Sequence, residues 1–200
     1  MTASTEPPST TTTQQHTPRS TETLPDIASE VIALLRATGE TVGVAESLTA
    51  GGVMAALTSV PGASAAFRGG VVSYATELKR TLLGVDAGLI AREGVIHGDV
   101  AAQMAEGARR ATSTDEGEEV GGAAVTTTWG VGTTGVAGPD MQDGKPVGTV
   151  YIGIASPRGS RAWGPFLFPG PRERVREATV LEALSRLREA LVDAAKESAV

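Results

Sequence analysis

Three stretches of this chain hold residue types that can do chemistry. The first is Glu46-Ser47-Leu48-Thr49-Ala50-Gly51-Gly52. Its serine follows a short apolar run and precedes small residues with a helical pattern. A hydroxyl on such a turn projects from the carboxyl edge of a sheet. Free N–H groups in the first turn of a following helix can hold an oxyanion or a phosphate. The glycines let a ligand approach the backbone closely. The same position also suits a plain helix N-cap, because serine is a preferred cap. A serine nucleophile needs a base, and the chain has only two histidines, His16 and His97. His16 lies in a Ser/Thr/Pro-rich start, which leaves His97, either as a base or as a loop or capping residue. Lys79, in Ser73-Tyr74-Ala75-Thr76-Glu77-Leu78-Lys79-Arg80, is the other candidate. Burial or a nearby cation can lower a lysine's pKa enough to make it a base. Glu77 and Arg80 pull that pKa in opposite directions, and a solvated lysine on a helix remains the alternative.

The second stretch, Gly130 to Pro139, matches G-x-G-x-x-G in its first six residues. A dinucleotide fingerprint needs a helix next and an acidic residue about 20 positions on. Gly138-Pro139 and Asp143-Gly144-Lys145-Pro146 follow instead, and position 155 is alanine, so that reading fails. What remains is a glycine-rich loop after a strand, with Thr133 and Thr134. It is either a polar-ligand cradle or a tight structural turn. The third stretch places Arg172, Arg174 and Arg176 at the start of the last helix. Arginine there opposes the helix dipole. The cluster is either a site for an anion or a solvated basic face.

The elements that must position these residues follow from periodicity and breakers. Helices are expected over Asp26–Thr38, Leu48–Leu57, Thr76–Leu83, a short stretch after Asp86, Asp99–Ala111 with Asp99 as N-cap, and about Pro171–Ala195. Strands are expected over Thr41–Glu46, Gly70–Tyr74, Ala123–Trp129, Gly148–Ala155 and Arg161–Phe168, with an acidic loop over Thr112–Gly122. Helices and strands alternate early and strands run in series late. That order gives an α/β fold, a three-layer α/β/α sandwich with a mostly parallel or mixed sheet. Residues 1–24 have too little apolar surface to offset ordering and read as a disordered tail, with one domain over 25–200.

Composition narrows the chemistry further. With 200 residues and no cysteine, thiol nucleophiles, disulfides and thiolate metal sites are excluded, and one usable histidine excludes a His-rich zinc site. A net charge of −6 argues against a nucleic-acid or anionic-membrane surface. No apolar run approaches the roughly 18 residues of a membrane span, and the start is no secretory signal. The expectation is a cytoplasmic protein.

Seven segments in order, taken together, resemble the CinA C-terminal domain family, whose members are nicotinamide-nucleotide amidohydrolases. They are Ala45-Glu46-Ser47 with Thr49 and Gly51-Gly52; Val60-Pro61-Gly62; Gly69 to Tyr74; Lys79 with Leu82 to Val85; Met104 to Ala108; Thr134 to Pro139; and Lys145 to Tyr151. The resemblance runs from about Asp26 to Ala195. It implies a Ser/Lys amidase that converts nicotinamide mononucleotide to nicotinate mononucleotide and ammonia. Ser47 would be the nucleophile, Lys79 the general base, and Tyr74 the residue that positions the pair. Thr49, Thr134, Gly135, Arg172 and Arg176 would form the substrate site, with Arg172 at the phosphate. The resemblance further implies a small-molecule nucleotide as partner, no metal or other cofactor, and a homo-oligomer, plausibly a dimer. The alternative is a non-catalytic nucleotide-binding or competence-associated module. The chain departs from the family pattern at Leu48 and Ala50, which replace Cys and Gly, and at His97, which replaces a small hydroxyl residue. It departs also in Asp140-Met141-Gln142-Asp143 and in a longer 112–130 link.

Overall fold

The structure, a computed structural model, describes residues 22–114 and 125–198. The expected tail through residue 21 and most of the acidic loop lie outside the described residues.

Helix α1, Leu24–Thr38, opens at Thr23, whose side chain and that of Asp26 form a reciprocal capping box. It buries Ile27, Val31, Ile32 and Leu35 on one face and stops at Gly39, which takes the left-handed φ of 70°. Strand β1, Val42–Glu46, is buried along its whole length, as a central strand covered on both faces must be. Then come α2 (Gly52–Thr58), β2 (Phe67–Val72), α3 (Thr76–Thr81), α4 (Ala87–Glu93) and α5 (Gly98–Ala111). The chain finishes with β3 (Trp129–Gly135), β4 (Thr149–Ser156), β5 (Gly159–Leu167) and α6 (Arg172–Ser198).

The five strands form one sheet in the order β2-β1-β3-β4-β5. Strand β1 is parallel to both β2 and β3, whereas β3, β4 and β5 run as an antiparallel series. The sheet is therefore mixed, with helices on both faces. Helices α1, α2 and α6 pack together over one face, where Val42, Val44, Trp129, Val131, Ile152 and Ile154 join Leu35, Leu57, Leu184 and Leu187 in the main core. Helix α5 lies on the other face, across β1, β3, β4 and β5. Its Val100, Met104 and Ala108 join Ala45, Leu83, Val85 and Leu89 in a second cluster.

The α5 face explains the glycine-rich stretch. Cross-strand register aligns Gly43 with Gly130 and Gly130 with Ala155; it also aligns Ala45 with Gly132 and Gly132 with Gly153. These two rows form a platform of minimal side chains. A Cβ at Gly132 would come within 2.7 Å of the Ala105 amide nitrogen and 3.0 Å of Met104 Cβ. The helix backbone rests directly on the sheet, so only glycine fits.

Four expectations need correction on this evidence. The third strand is Trp129–Gly135; of the expected Ala123–Trp129 span, residues 123 and 124 lie outside the described residues and residues 125–128 precede the strand, so the glycine-rich stretch is a buried strand through Gly135 and not a loop. Glycine there marks close helix–sheet contact, which single-sequence patterning reads as a turn. The second strand runs from Phe67 to Val72, so Tyr74 falls in the following loop. Helix α2 begins at Gly52, so Ser47 is not its N-cap; Gly51, at φ 95°, holds that position. Helix α5 is capped by His97, whose Nδ1 accepts from the Asp99 N–H at 3.2 Å, and Asp99 sits inside the first turn. Among the described residues no helix is long and apolar enough to cross a membrane.

Candidate active site

The three parallel strands end at one edge of the sheet, and the candidate residues gather there. Strand β1 closes on Glu46, and Ser47 still pairs with the next strand, its N–H donating to the Thr133 carbonyl at 3.1 Å. The backbone then turns, with Ala50 N–H donating to the Ser47 carbonyl at 3.1 Å.

Glu46 holds this turn from within. Its carboxylate is fully buried and accepts from the N–H groups of Gly51, Val53 and Met54 at 2.9, 3.2 and 2.9 Å. The donors left open at the start of α2 are thus spent on Glu46, which also sets a negative charge at the positive end of the helix. Sequence reasoning passed over this residue. The signal was a carboxylate ending an otherwise apolar strand, since an unpaired buried charge would be prohibitive.

Helix α3 carries Lys79 back toward the strand ends. The side chain is 1% exposed. Its Nζ donates to the Ser73 carbonyl at 2.6 Å and to Ser47 Oγ at 3.1 Å. Burial lowers its pKa from 10.5 to about 8, with the Glu77 carboxylate pulling weakly the other way. A neutral amine in this position keeps one N–H for the Ser73 carbonyl and offers its lone pair to the serine hydroxyl. The pair is therefore a hydroxyl with a base within hydrogen-bond reach, the arrangement of an activated nucleophile.

A cavity of about 140 Å³ opens on this pair. Ser47, Leu48, Tyr74, Lys79, Thr134, Gly135 and Arg172 all line it. Arg172 crosses the mouth, donating from one Nη to the Gly138 carbonyl and from the other to the Tyr74 hydroxyl, both at 2.8 Å. Tyr74 is well exposed and meets Arg172; its hydroxyl has no bond to Ser47 or Lys79. Thr134 is buried and donates to the Val95 carbonyl at 2.7 Å. Asp140 and Gln142 also line the cavity, from the Asp140–Asp143 loop.

Two of the expected substrate residues sit behind the cavity and not on it. Thr49 is fully buried, with its hydroxyl 2.8 Å from that of Thr133. Arg176 donates from Nε to the Leu48 carbonyl at 3.1 Å and from Nη2 to the Thr49 carbonyl at 3.0 Å. Ala50 takes φ 49° with its methyl exposed, and it does not line the cavity. His97 lies off the cavity as well.

Backbone accounting from Glu46 to Met54 leaves a specific remainder. The carbonyls of Ser47, Leu48 and Thr49 are all occupied. The N–H groups of Ser47, Ala50, Gly51, Gly52, Val53 and Met54 all donate. Those of Leu48 and Thr49 have no acceptor among the described residues.

The CinA C-terminal domain family model matches residues 24–191. A CinA-like protein of Frankia casuarinae is 47% identical over 161 residues, covering 80% of this chain and 34% of that protein. One from Anaeromyxobacter dehalogenans is 47% identical over 169 residues, with coverage of 84% and 37%. The chain spans about a third of the length of the curated relatives it matches. Among solved structures, the competence/damage inducible protein CihA from Agrobacterium tumefaciens is similar at TM-score 0.73 and 30% identity, covering 84% of this chain and 94% of that one. The competence damage-inducible protein A (ComA) from Klebsiella pneumoniae is similar at TM-score 0.75 and 27% identity, covering 86% and 98%.

Proposed function

The chain belongs to the CinA C-terminal domain family, and from that premise we propose that it is an amidohydrolase acting on nicotinamide mononucleotide, releasing ammonia and nicotinate mononucleotide. The observation that carries this reading is the buried Lys79 amine, 3.1 Å from Ser47 Oγ.

The steps follow from that pair. Neutral Lys79 takes the Oγ proton as Ser47 attacks the carboxamide carbon. A C–O bond forms and the carbonyl electron pair moves onto oxygen. The open N–H of Leu48, a residue that lines the cavity, is the donor for that oxyanion. The Lys79 ammonium then gives its proton to the departing nitrogen, the C–N bond breaks, and ammonia leaves an acyl-serine. Water, deprotonated by Lys79, cleaves the ester and restores Ser47.

Cavity size supports a division of the substrate. About 140 Å³ is below the roughly 300–1,000 Å³ of pockets that enclose a whole ligand. A pyridine ring and its amide belong inside, and the ribose phosphate at the mouth. There Arg172 exchanges its bonds to Gly138 and Tyr74 for the phosphate.

The test is ammonia release from nicotinamide mononucleotide by the purified chain, with Ser47→Ala and Lys79→Ala alongside. Turnover in the parent and its loss in both variants is the expected result. No release above blank at micromolar enzyme overturns the proposal.

A further inference from the structure

We propose that Arg176 is a positioning residue for the amidase oxyanion donor, the Leu48 N–H, an inference that rests on the amidase reading above. Its guanidinium never reaches the cavity. It reaches the opposite side of the turn, the carbonyls of Leu48 and Thr49.

In a trans peptide the C=O of one residue and the N–H of the next share a plane and point in opposite directions. Holding the Leu48 carbonyl on Arg176 therefore fixes the direction of the Thr49 N–H. Holding the Thr49 carbonyl fixes the Ala50 N–H, which donates to the Ser47 carbonyl at 3.1 Å. That last bond in turn fixes the plane carrying the Leu48 N–H. Arg176, together with the Gly52 N–H on the same Thr49 carbonyl, thus sets the Leu48 N–H through a single intervening bond. Of the two amides in the turn that have no acceptor among the described residues, that of Leu48 belongs to a cavity-lining residue and that of Thr49 to a fully buried one. A cation on a carbonyl also polarises its peptide group, which strengthens the N–H at the other end.

Within the turn the Gly52 N–H shares one of these carbonyls, donating to that of Thr49 at 3.1 Å, whereas the Leu48 carbonyl is held by Arg176. Glu46 controls the later amides of Gly51, Val53 and Met54. Thr49 is anchored by its side chain to Thr133, which sets the residue but not its peptide planes. Arg176 comes from α6, 127 and 128 residues away from the carbonyls it holds. Its planar fork serves two adjacent carbonyls at once, whereas a lysine offers a point charge.

The experiment compares the parent, Arg176→Lys and Arg176→Ala in two assays, with circular dichroism to confirm folding. The first assay is ammonia release from nicotinamide mononucleotide. The second is labelling of Ser47 by diisopropyl fluorophosphate, followed by intact mass. There the Oγ–P bond forms, the P–F bond breaks, fluoride leaves and Lys79 takes the proton. Arg176→Ala should lower kcat on the order of 100-fold, the scale for loss of an oxyanion donor. KM should stay within about threefold and the pH midpoint should not move, because neither substrate contacts nor Lys79 change. Labelling should slow in parallel, and Arg176→Lys should recover part of both rates. A folded Arg176→Ala with parental kcat and labelling rate overturns the inference while the amidase reading stands. An effect on KM alone also overturns it, because that outcome makes Arg176 a substrate contact. A parent that labels at Ser47 but releases no ammonia overturns the substrate assignment; the labelling rates of the variants then decide the role of Arg176. A parent that does not label at all overturns the inference, because Ser47 then lacks an assembled oxyanion site.

Discussion

The pH dependence of turnover follows from the burial of Lys79. Its pKa, lowered from 10.5 to about 8, corresponds to a preference for the neutral amine on the order of 3 kcal/mol. Below that midpoint the ammonium dominates and no base is present; above it the free amine is in place, so the rate must rise with pH. With a midpoint near 8, about one-eleventh of the enzyme is active at pH 7, half at pH 8 and ten-elevenths at pH 9. The value of kcat/KM should therefore rise about tenfold from pH 7 to pH 9 and level off. A lysine left at 10.5 would give about a hundredfold rise over the same interval, with no plateau. The assay is ammonia release at subsaturating substrate in buffers of constant ionic strength. Glu77→Gln extends it. Removing that carboxylate withdraws a nearby negative charge that favours the ammonium, so the midpoint should move to lower pH. The pH 7 rate should then rise by no more than about fivefold, the reach of an exposed pair worth up to about 1 kcal/mol. A flat profile between pH 6.5 and pH 9, or a rise that does not level, would refute the assignment of Lys79 as base.

Three further outcomes are expected. His97 caps α5 through Nδ1; His97→Ser keeps a capping side chain and should retain turnover, whereas His97→Ala should lose about 1 kcal/mol in denaturant unfolding. A large loss of turnover in His97→Ser would reopen the histidine-base alternative. Gly132→Ala should destabilise by about 3 kcal/mol, because the added methyl meets the backbone of α5, which cannot yield cheaply; a change below about 1 kcal/mol would mean that the α5 contact is looser than described. Ser73 Oγ is buried without a partner among the described residues, so Ser73→Ala should stabilise the fold by about 1 kcal/mol while keeping the carbonyl that holds Lys79. A lowered Tm in Ser73→Ala would show that the hydroxyl is satisfied in solution.

Local sequence carried much of the architecture. Alternating apolar runs and breakers specify the order of strands and helices, because amphipathic period and chain-stopping glycines act over a few residues. Thus α1, with its cap at Thr23 and stop at Gly39, is legible from the chain alone. The Gly130 to Gly135 strand is not, because its glycines answer to a helix that crosses above them and has no local trace. The candidate pair was legible only in part. Ser47 and Lys79 stand out as types, but a lysine on a short polar helix looks solvated until the fold closes over it.

Sequence alone determined which chemistries were closed. A chain without cysteine and with one histidine outside its polar start cannot build a thiol site or a His-rich metal centre, since composition bounds what any fold can assemble. Tertiary structure alone decided three things: the Nζ of Lys79 lies 3.1 Å from Ser47 Oγ, the amides at the start of α2 are spent on Glu46, and Arg176 faces carbonyls instead of the cavity. The physical reason is the same in each case. Burial, which sets a pKa, and hydrogen-bond partnership, which sets a role, depend on groups as far as 128 residues apart in sequence, and only packing brings them within reach.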